Sequence, residues 1–148
     1  MKAGVVKESY PGERRVALVP AIVPSLTKKG LDVVVEKGCG LAAGFRDEDY
    51  AGKGAGLESR ENVFKQADIL LQVRAAGANL ETGKTDLESM RKDQVVIAAM
   101  EPLSEPGSIK ELAEKGVTGF ALELLPRITR AQSMDILSSM ANIAGYKS

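Results

Sequence analysis

The stretch Leu125–Tyr146, LPRITRAQSMDILSSMANIAGY, carries the densest set of side chains able to do specific chemistry. On a helical wheel started at Gln132, residues Met134, Ile136, Leu137, Met140, Ala141, Ile143 and Ala144 fall on one broad arc, and Gln132, Asp135, Ser138, Ser139 and Asn142 on the other. The pattern predicts a helix from about Ala131 or Gln132 to about Ala144. Its apolar side is expected to pack on a core, with Met134 and Met140 as core fillers. The polar side holds one charge and otherwise short amides and hydroxyls. Ser, Asn and Asp are poorer helix formers than the Lys and Glu of an ordinary solvated face. That composition fits a surface that hydrogen-bonds a specific group, and equally a subunit contact or a plain exposed face, because periodicity says nothing about ligands.

Arg127 and Arg130 precede this helix, behind Pro126, which fixes the backbone before them. A guanidinium fork can hold an amide oxygen, a carboxylate or a phosphate, and loops after strands are where α/β sheets bind ligands. Two surface cations on a loop is the plainer alternative. Glu13, Arg14 and Arg15 read as charges paired near a sheet, with a substrate clamp as the other reading. Glu101, Glu105 and Glu123 could supply acid–base chemistry, but nothing in the sequence places them together. The glycines of GCGLAAG (Gly38, Gly40, Gly44) lack the full dinucleotide fingerprint and any Lys-Ser/Thr phosphate motif, so they read as turn residues. Cys39 reads as a small, inert residue.

Composition narrows the chemistry. The chain has 148 residues, 44% hydrophobic and 27% charged, which fits one ordinary globular domain. Lys plus Arg and Asp plus Glu are 20 each, so no basic surface is available to hold nucleic acid. There is no histidine, which excludes a Ser-His-Asp triad, a histidine base and a histidine-ligated metal, and no metal site is expected. A single cysteine excludes an intrachain disulfide. No run of 18 apolar residues exists, so no membrane span is expected, and the charged N-terminus does not read as a secretory signal.

The elements that must position these residues alternate. Apolar runs at Ala3–Val6, Leu31–Val35, Ile69–Val73, Gln94–Ala99 and Val117–Leu122 read as strands, with a further short run at Val16–Leu18. Helices are expected at Pro20–Lys29, at Asp47–Lys53 with Asp47 as N-cap, at Glu61–Ala67, at Asp86–Arg91 and at Ser108–Lys115, the last with Ser108 as N-cap and Glu111 completing a capping box. Ala75–Gly83 reads as a loop. Strands alternating with helices predict an α/β fold, a mostly parallel sheet flanked by helices. The last helix runs straight into Gly145-Tyr146-Lys147-Ser148, as a piece of a longer protein would.

Four segments together, KESYPGERRVALVP, VVVEKGCGLAAGF, ADILLQVRA and LPRITRAQSMDILSSMANIAGYK, resemble the N-terminal region of the alanine dehydrogenase and nicotinamide nucleotide transhydrogenase superfamily. The last and most specific of them is similar to the proton-translocating NAD(P) transhydrogenase branch, in the N-terminal part of its alpha subunit. The resemblance implies a flavodoxin- or Rossmann-like first domain, residues 1–148. In the family, a Rossmann NAD-binding domain follows and a return segment completes the first domain; both are absent from this sequence. It also implies a function: positioning NADH for direct hydride transfer to NADP⁺, with NAD(H) held here and NADP(H) bound on a partner component. Residue by residue, it implies that Arg127 and Gln132 reach the nicotinamide end and its ribose and that Asp135 and Ser138 bind the carboxamide. Gln132 would stand nearest the chemistry, with Arg130 a weaker candidate.

The partners it implies are the NADP-binding and membrane components, with a homodimer in the full subunit. The place it implies is cytoplasmic, peripheral to the inner membrane through those partners. Two alternatives stand beside this one: an alanine-dehydrogenase-like amino-acid oxidoreductase and a non-catalytic assembly module. The dehydrogenase branch uses a lysine and a histidine near its substrate. Here the lysine's place falls on Arg74 and the histidine's region holds Glu101, and an arginine stays protonated at neutral pH.

Overall fold

The computed structural model describes residues 1–147; Ser148, the last residue of the tail noted above, lies outside them. Six strands form one sheet: β1 (Lys2–Val5), β2 (Asp32–Glu36), β3 (Gly56–Glu58), β4 (Ile69–Arg74), β5 (Val95–Ala99) and β6 (Thr118–Ala121). Their order is β3-β2-β1-β4-β5-β6, and every neighbouring pair is parallel. This bears out the α/β expectation. The β-branched run Val33-Val34-Val35 is buried on both faces, as parallel strands usually are, whereas in the β4/β5 pair Leu70 and Val96 are buried on the helix side and Leu71 and Ile97 stay half-buried on the other.

The helices are α1 (Val23–Thr27), α2 (Asp47–Ala51), α3 (Arg60–Gln66), α4 (Gly83–Ser89), α5 (Pro106–Glu114) and α6 (Ile136–Lys147). One core, around Val6, Phe64, Leu70, Val96, Met100 and Leu112, lies between one face of the sheet and α3, α4 and α5. The other, around Val5, Val23, Val33, Val35, Cys39 and Tyr50, lies under α1 and α2. Gly4 lets α3 approach β1 closely, since a Cβ there would stand 2.6 Å from the Cβ of Ala67. Gly38 and Gly44 have φ of 77° and 88°, so they serve as turn residues, as expected. Buried Cys39, its thiol pushed up to about 11 by burial, is inert.

Local details differ from the sequence reading, each for a physical reason. Val16–Leu18 is irregular rather than extended. The three-residue edge strand β3 has too short a pattern to signal itself. Asp47 is the first residue of α2, not its cap; its carboxylate instead accepts the Gly38 N–H at 2.7 Å, while Asp49 accepts the N–H of Arg46, the N-cap. α5 begins at Pro106 with Glu105 as N-cap, so Ser108 lies within its first turn; Pro, pre-set for the first helical position, sets the start. The expected loop Ala75–Gly83 contains a 3-10 turn at Ala76–Ala78 and already includes the first residue of α4.

The largest correction concerns the last helix. Thr129–Met134 is a 3-10 segment, Asp135 is extended with ψ of 106°, and only then does α6 begin. Gln132 therefore does not share a helical face with Asp135 and Ser138. Nor does the apolar arc reach a core: no residue of α6 is buried, and Met134, Leu137, Met140 and Ile143 are 52%, 59%, 42% and 59% exposed. Met134 and Met140 fill no core. The apolar face exists, but among the described residues it is only partly covered: Ile136 is half-buried, the turn at Leu122–Leu124 lies against α6, and the rest of the face stays open.

Candidate functional site

A groove of about 570 Å³ opens at the carboxyl ends of β1, β4, β5 and β6. Its floor is the sheet face carrying Leu71, Val73, Ile97 and Ala99, and the first turn of α6 forms one wall. The strand order reverses between β1 and β4, and parallel α/β sheets bind ligands at that kind of switch point. The loop after β1, Val6–Val19, supplies Arg15, Val16 and Ala17 to the groove. Arg74, Glu101 and Glu123 come from the ends of β4, β5 and β6, and Arg127 and Asp135 from the segment leading into α6. An apolar floor rimmed by three arginines and three carboxylates suits a flat ring with polar substituents.

Of the sequence-predicted residues, Arg127 and Asp135 line this groove; Gln132 and Ser138 are exposed and are not part of its lining. Arg130 is exposed too. Asp135 and Ser138 do come together, but with each other. The Asp135 carboxylate accepts the N–H groups of Leu137 (2.9 Å) and Ser138 (3.2 Å) and the Ser138 hydroxyl (2.7 Å). That is the bonding of an N-cap, and the Ser138 hydroxyl and N–H hold the Asp135 carboxyl below the usual range. The pair starts α6 at the groove wall, which places one carboxylate there whatever else it binds.

Glu101 and Glu123, which nothing in the sequence related, meet here. One Glu123 oxygen accepts the N–H groups of Met100 (2.7 Å) and Glu101 (2.6 Å), so Glu123 holds the end of β5. Glu101 has φ of 51°, a left-handed conformation that non-glycine residues adopt only when the surroundings impose it. Glu105 occupies the N-cap position of α5, with no side-chain capping bond, and does not line the groove.

Glu8, Tyr10 and the structural role of Arg74 escaped the sequence reading. Glu13 pairs with Arg15 at 2.6 Å, as the charge-pairing reading expected, but also with Arg74 at 3.3 Å. The Arg15 guanidinium beside Glu13 lowers that carboxyl to about 2. The Arg74 guanidinium lies 4.4 Å from the Tyr10 ring centre, within cation–π reach. Glu8 accepts the backbone N–H groups of Val73 (2.6 Å) and Arg74 (3.1 Å). Beneath the opposite face, Arg60 forks onto Asp86 and reaches Glu36, while Gln72 donates to Asp86. This network ties α3, α4, β2 and β4 into a rigid frame. Glu13 and Arg15 apart, no sequence spacing could have grouped these residues, because the other contacts join segments distant in the chain.

The sheet order and the groove at its carboxyl edge define a doubly wound α/β protein of the Rossmann-like class. Residues 4–144 match the family described as alanine dehydrogenase/PNT, N-terminal domain, and the chain belongs to that family. It is 41% identical over 148 residues to the NAD(P) transhydrogenase subunit alpha of Cereibacter sphaeroides, covering 99% of this chain and 27% of that protein. The crystal structure of transhydrogenase from Sinorhizobium meliloti superposes with a TM-score of 0.91 at 42% identity, covering 99% of this chain and 42% of that one. A solved L-alanine dehydrogenase superposes with a TM-score of 0.85 at 29% identity, covering 98% of this chain and 38% of that one. The chain thus spans less than half the length of each of these proteins.

Proposed function

We propose that this chain is the first-domain portion of a proton-translocating transhydrogenase alpha subunit, and that its groove holds the nicotinamide end of NAD(H) for direct hydride transfer to NADP⁺ on a partner component. The observation that carries the reading is the position of Arg127 and Asp135 in the wall of the groove at the carboxyl edge of the sheet. Closer similarity to the alpha subunit than to alanine dehydrogenase supports it.

Hydride transfer between two nicotinamides moves no proton at the reacting carbons, so the protein supplies orientation and electrostatics while the cofactors carry the chemistry. Arg127 would donate to the carboxamide or ribose oxygens. Asp135 would accept from the carboxamide nitrogen with the lone pairs its capping bonds leave free, and Ser138 would fix that carboxylate. Gln132, on the exposed 3-10 segment before α6, would reach the nicotinamide end and its ribose from outside the groove. Arg74, held by Glu13 and Tyr10, is a guanidinium and a poor proton-transferring base, which makes the dehydrogenase reading the weaker fit.

The rest of the reading follows from the family. In the full subunit a Rossmann NAD-binding domain follows, binding the adenosine and pyrophosphate, and the subunit is a homodimer. It sits at the cytoplasmic side of the inner membrane through its NADP-binding and membrane partners. Among the described residues no helix is long and apolar enough to cross a membrane.

The test is Gln132→Asn in the full-length subunit reconstituted with its NADP(H)-binding component. Single-turnover hydride transfer is expected to slow more than NADH affinity falls. An unchanged single-turnover rate counts against the assignment. The 148-residue chain alone is expected to bind NADH weakly or not at all in a fluorescence titration, and a micromolar Kd would contradict it.

A further inference from the structure

The end of β4 carries one residue too many. Leu71 stands opposite Ile97, and the next pair in register is Arg74 opposite Ala99: three steps along β4 against two along β5. That is a β-bulge, and its consequence is a change of face. Ile97 and Ala99 both floor the groove, so the residue opposite Ala99 points into the groove as well. In an unbroken ladder that residue would be Val73. Arg74 would then project onto the opposite, helix-covered face, where Leu70 and Gln72 lie. The bulge alone puts the Arg74 guanidinium in the site.

A bulge leaves backbone groups out of the ladder, and buried N–H groups need acceptors. Both are provided by one side chain. Glu8, from the loop after β1, reaches the N–H of Val73 with one carboxylate oxygen at 2.6 Å and that of Arg74 with the other at 3.1 Å. The same loop supplies the Tyr10 ring on which the Arg74 guanidinium rests and the Glu13 carboxylate that it meets. Ser9 anchors the loop to Thr82 at 2.7 Å and accepts from Asn79 at 3.1 Å.

We infer that Glu8 is a positioning residue: by taking the two N–H groups of the β4 bulge it fixes which face of the sheet Arg74 presents, and so places that cation in the groove. Glu8 touches no ligand in this role; it acts through Arg74. The inference deepens the proposed function only in saying what the cation serves, and its test uses no cofactor, so the two fail separately. Burial, with Glu13 and Asp86 nearby, raises the Glu8 pKa, while Arg15 is the cation that faces it beside Arg74. The carboxylate is retained there at an electrostatic cost that a merely space-filling residue would not incur.

The experiment is residue-resolved amide exchange by NMR on the 148-residue chain, with Glu8→Ala and Glu8→Gln, together with the Arg74 Nε–H signal, which the Tyr10 ring shifts. In Glu8→Ala, protection at Val73 and Arg74 is expected to fall about tenfold or more, in line with losing a charged acceptor. Leu70 and Val96 should keep theirs, and the Arg74 Nε–H signal should lose its ring shift. Glu8→Gln retains one acceptor oxygen, so one of the two amides is expected to stay protected; this variant decides the matter if Glu8→Ala does not fold. Unchanged protection at both amides, or a loss spread evenly along β4 and β5 with the Arg74 signal in place, would overturn the inference.

Discussion

The two halves of the sheet are finished to different degrees. Around β1 and β2 both faces are covered: Val5, Val35, Tyr50 and Val23 are fully buried on one side, and on the other α3 seats its own Val63 and Phe64 against Val6 and Val34. Around β5 and β6 only the face under α4 and α5 is closed. On the groove side Phe120 is 57% exposed, and the apolar face of α6 stands nearby with no core to meet. Large apolar side chains gathered on one side of a domain mark a surface made to be covered. The closed half supplies stability; the open half carries Arg74, Arg127 and Asp135, the groups that can do chemistry.

Four substitutions sharpen or break that contrast. The largest effect is expected at Tyr50, which is fully buried and donates to the Leu18 carbonyl at 2.8 Å. Tyr50→Ala should cost about 3–5 kcal/mol, the range for emptying a buried aromatic site. Phe120→Ala should stay within about 0.5 kcal/mol, as for an ordinary surface change. Urea unfolding of both variants checks this, and equal losses would show that the two halves are equally packed.

A smaller effect is expected at Gly77, where the turn after β4 meets the end of β5. A Cβ there would stand 2.6 Å from the Met100 carbonyl oxygen and from the Cβ of Glu105. Gly77→Ala should cost about 1–3 kcal/mol, as overpacking does, and should loosen the groove floor. Thermal unfolding and exchange at Ala99 and Met100 would measure it.

The smallest effect is expected from acid. Glu13 is lowered in the folded chain from 4.5 to about 2, first by its bond to Arg15. A depressed carboxyl contributes stability above its unfolded pKa, and that contribution is lost as pH falls from about 5 toward 2. Glu8 is shifted upward and acts in the opposite sense, so the Glu13 contribution is read as a difference. The stability gap between wild type and Glu13→Gln should shrink between pH 6 and pH 3. A gap that is constant with pH would mean Glu13 is not ion-paired in solution.

How much was legible follows from the range of each interaction. Strands such as Val33–Val35 and Val95–Ala99 announce themselves through adjacent side chains, and so does the turn geometry at Gly38 and Gly44. The glutamates at 101 and 123 could be suspected but not joined, since 22 residues separate the atoms that bond. The apolar arc of the last helix was legible and its burial was not, because periodicity reports which face is apolar but never what lies opposite it. Gln132 was assigned to the wrong element because a wheel assumes an unbroken helix, and the extended backbone at Asp135 breaks it.

The sequence by itself determined the order of the longer strands and helices, the parallel α/β class and, through its family motifs, where functional residues should be sought. Those properties are written in neighbouring residues and in patterns of short period. Only the tertiary structure decided that Arg74 faces the groove, that Glu8 serves β4 rather than solvent, and that α6 stands without a core. Each depends on register or on contacts across tens of residues, and a one-residue shift in a strand exchanges its two faces without changing a single letter of the local pattern.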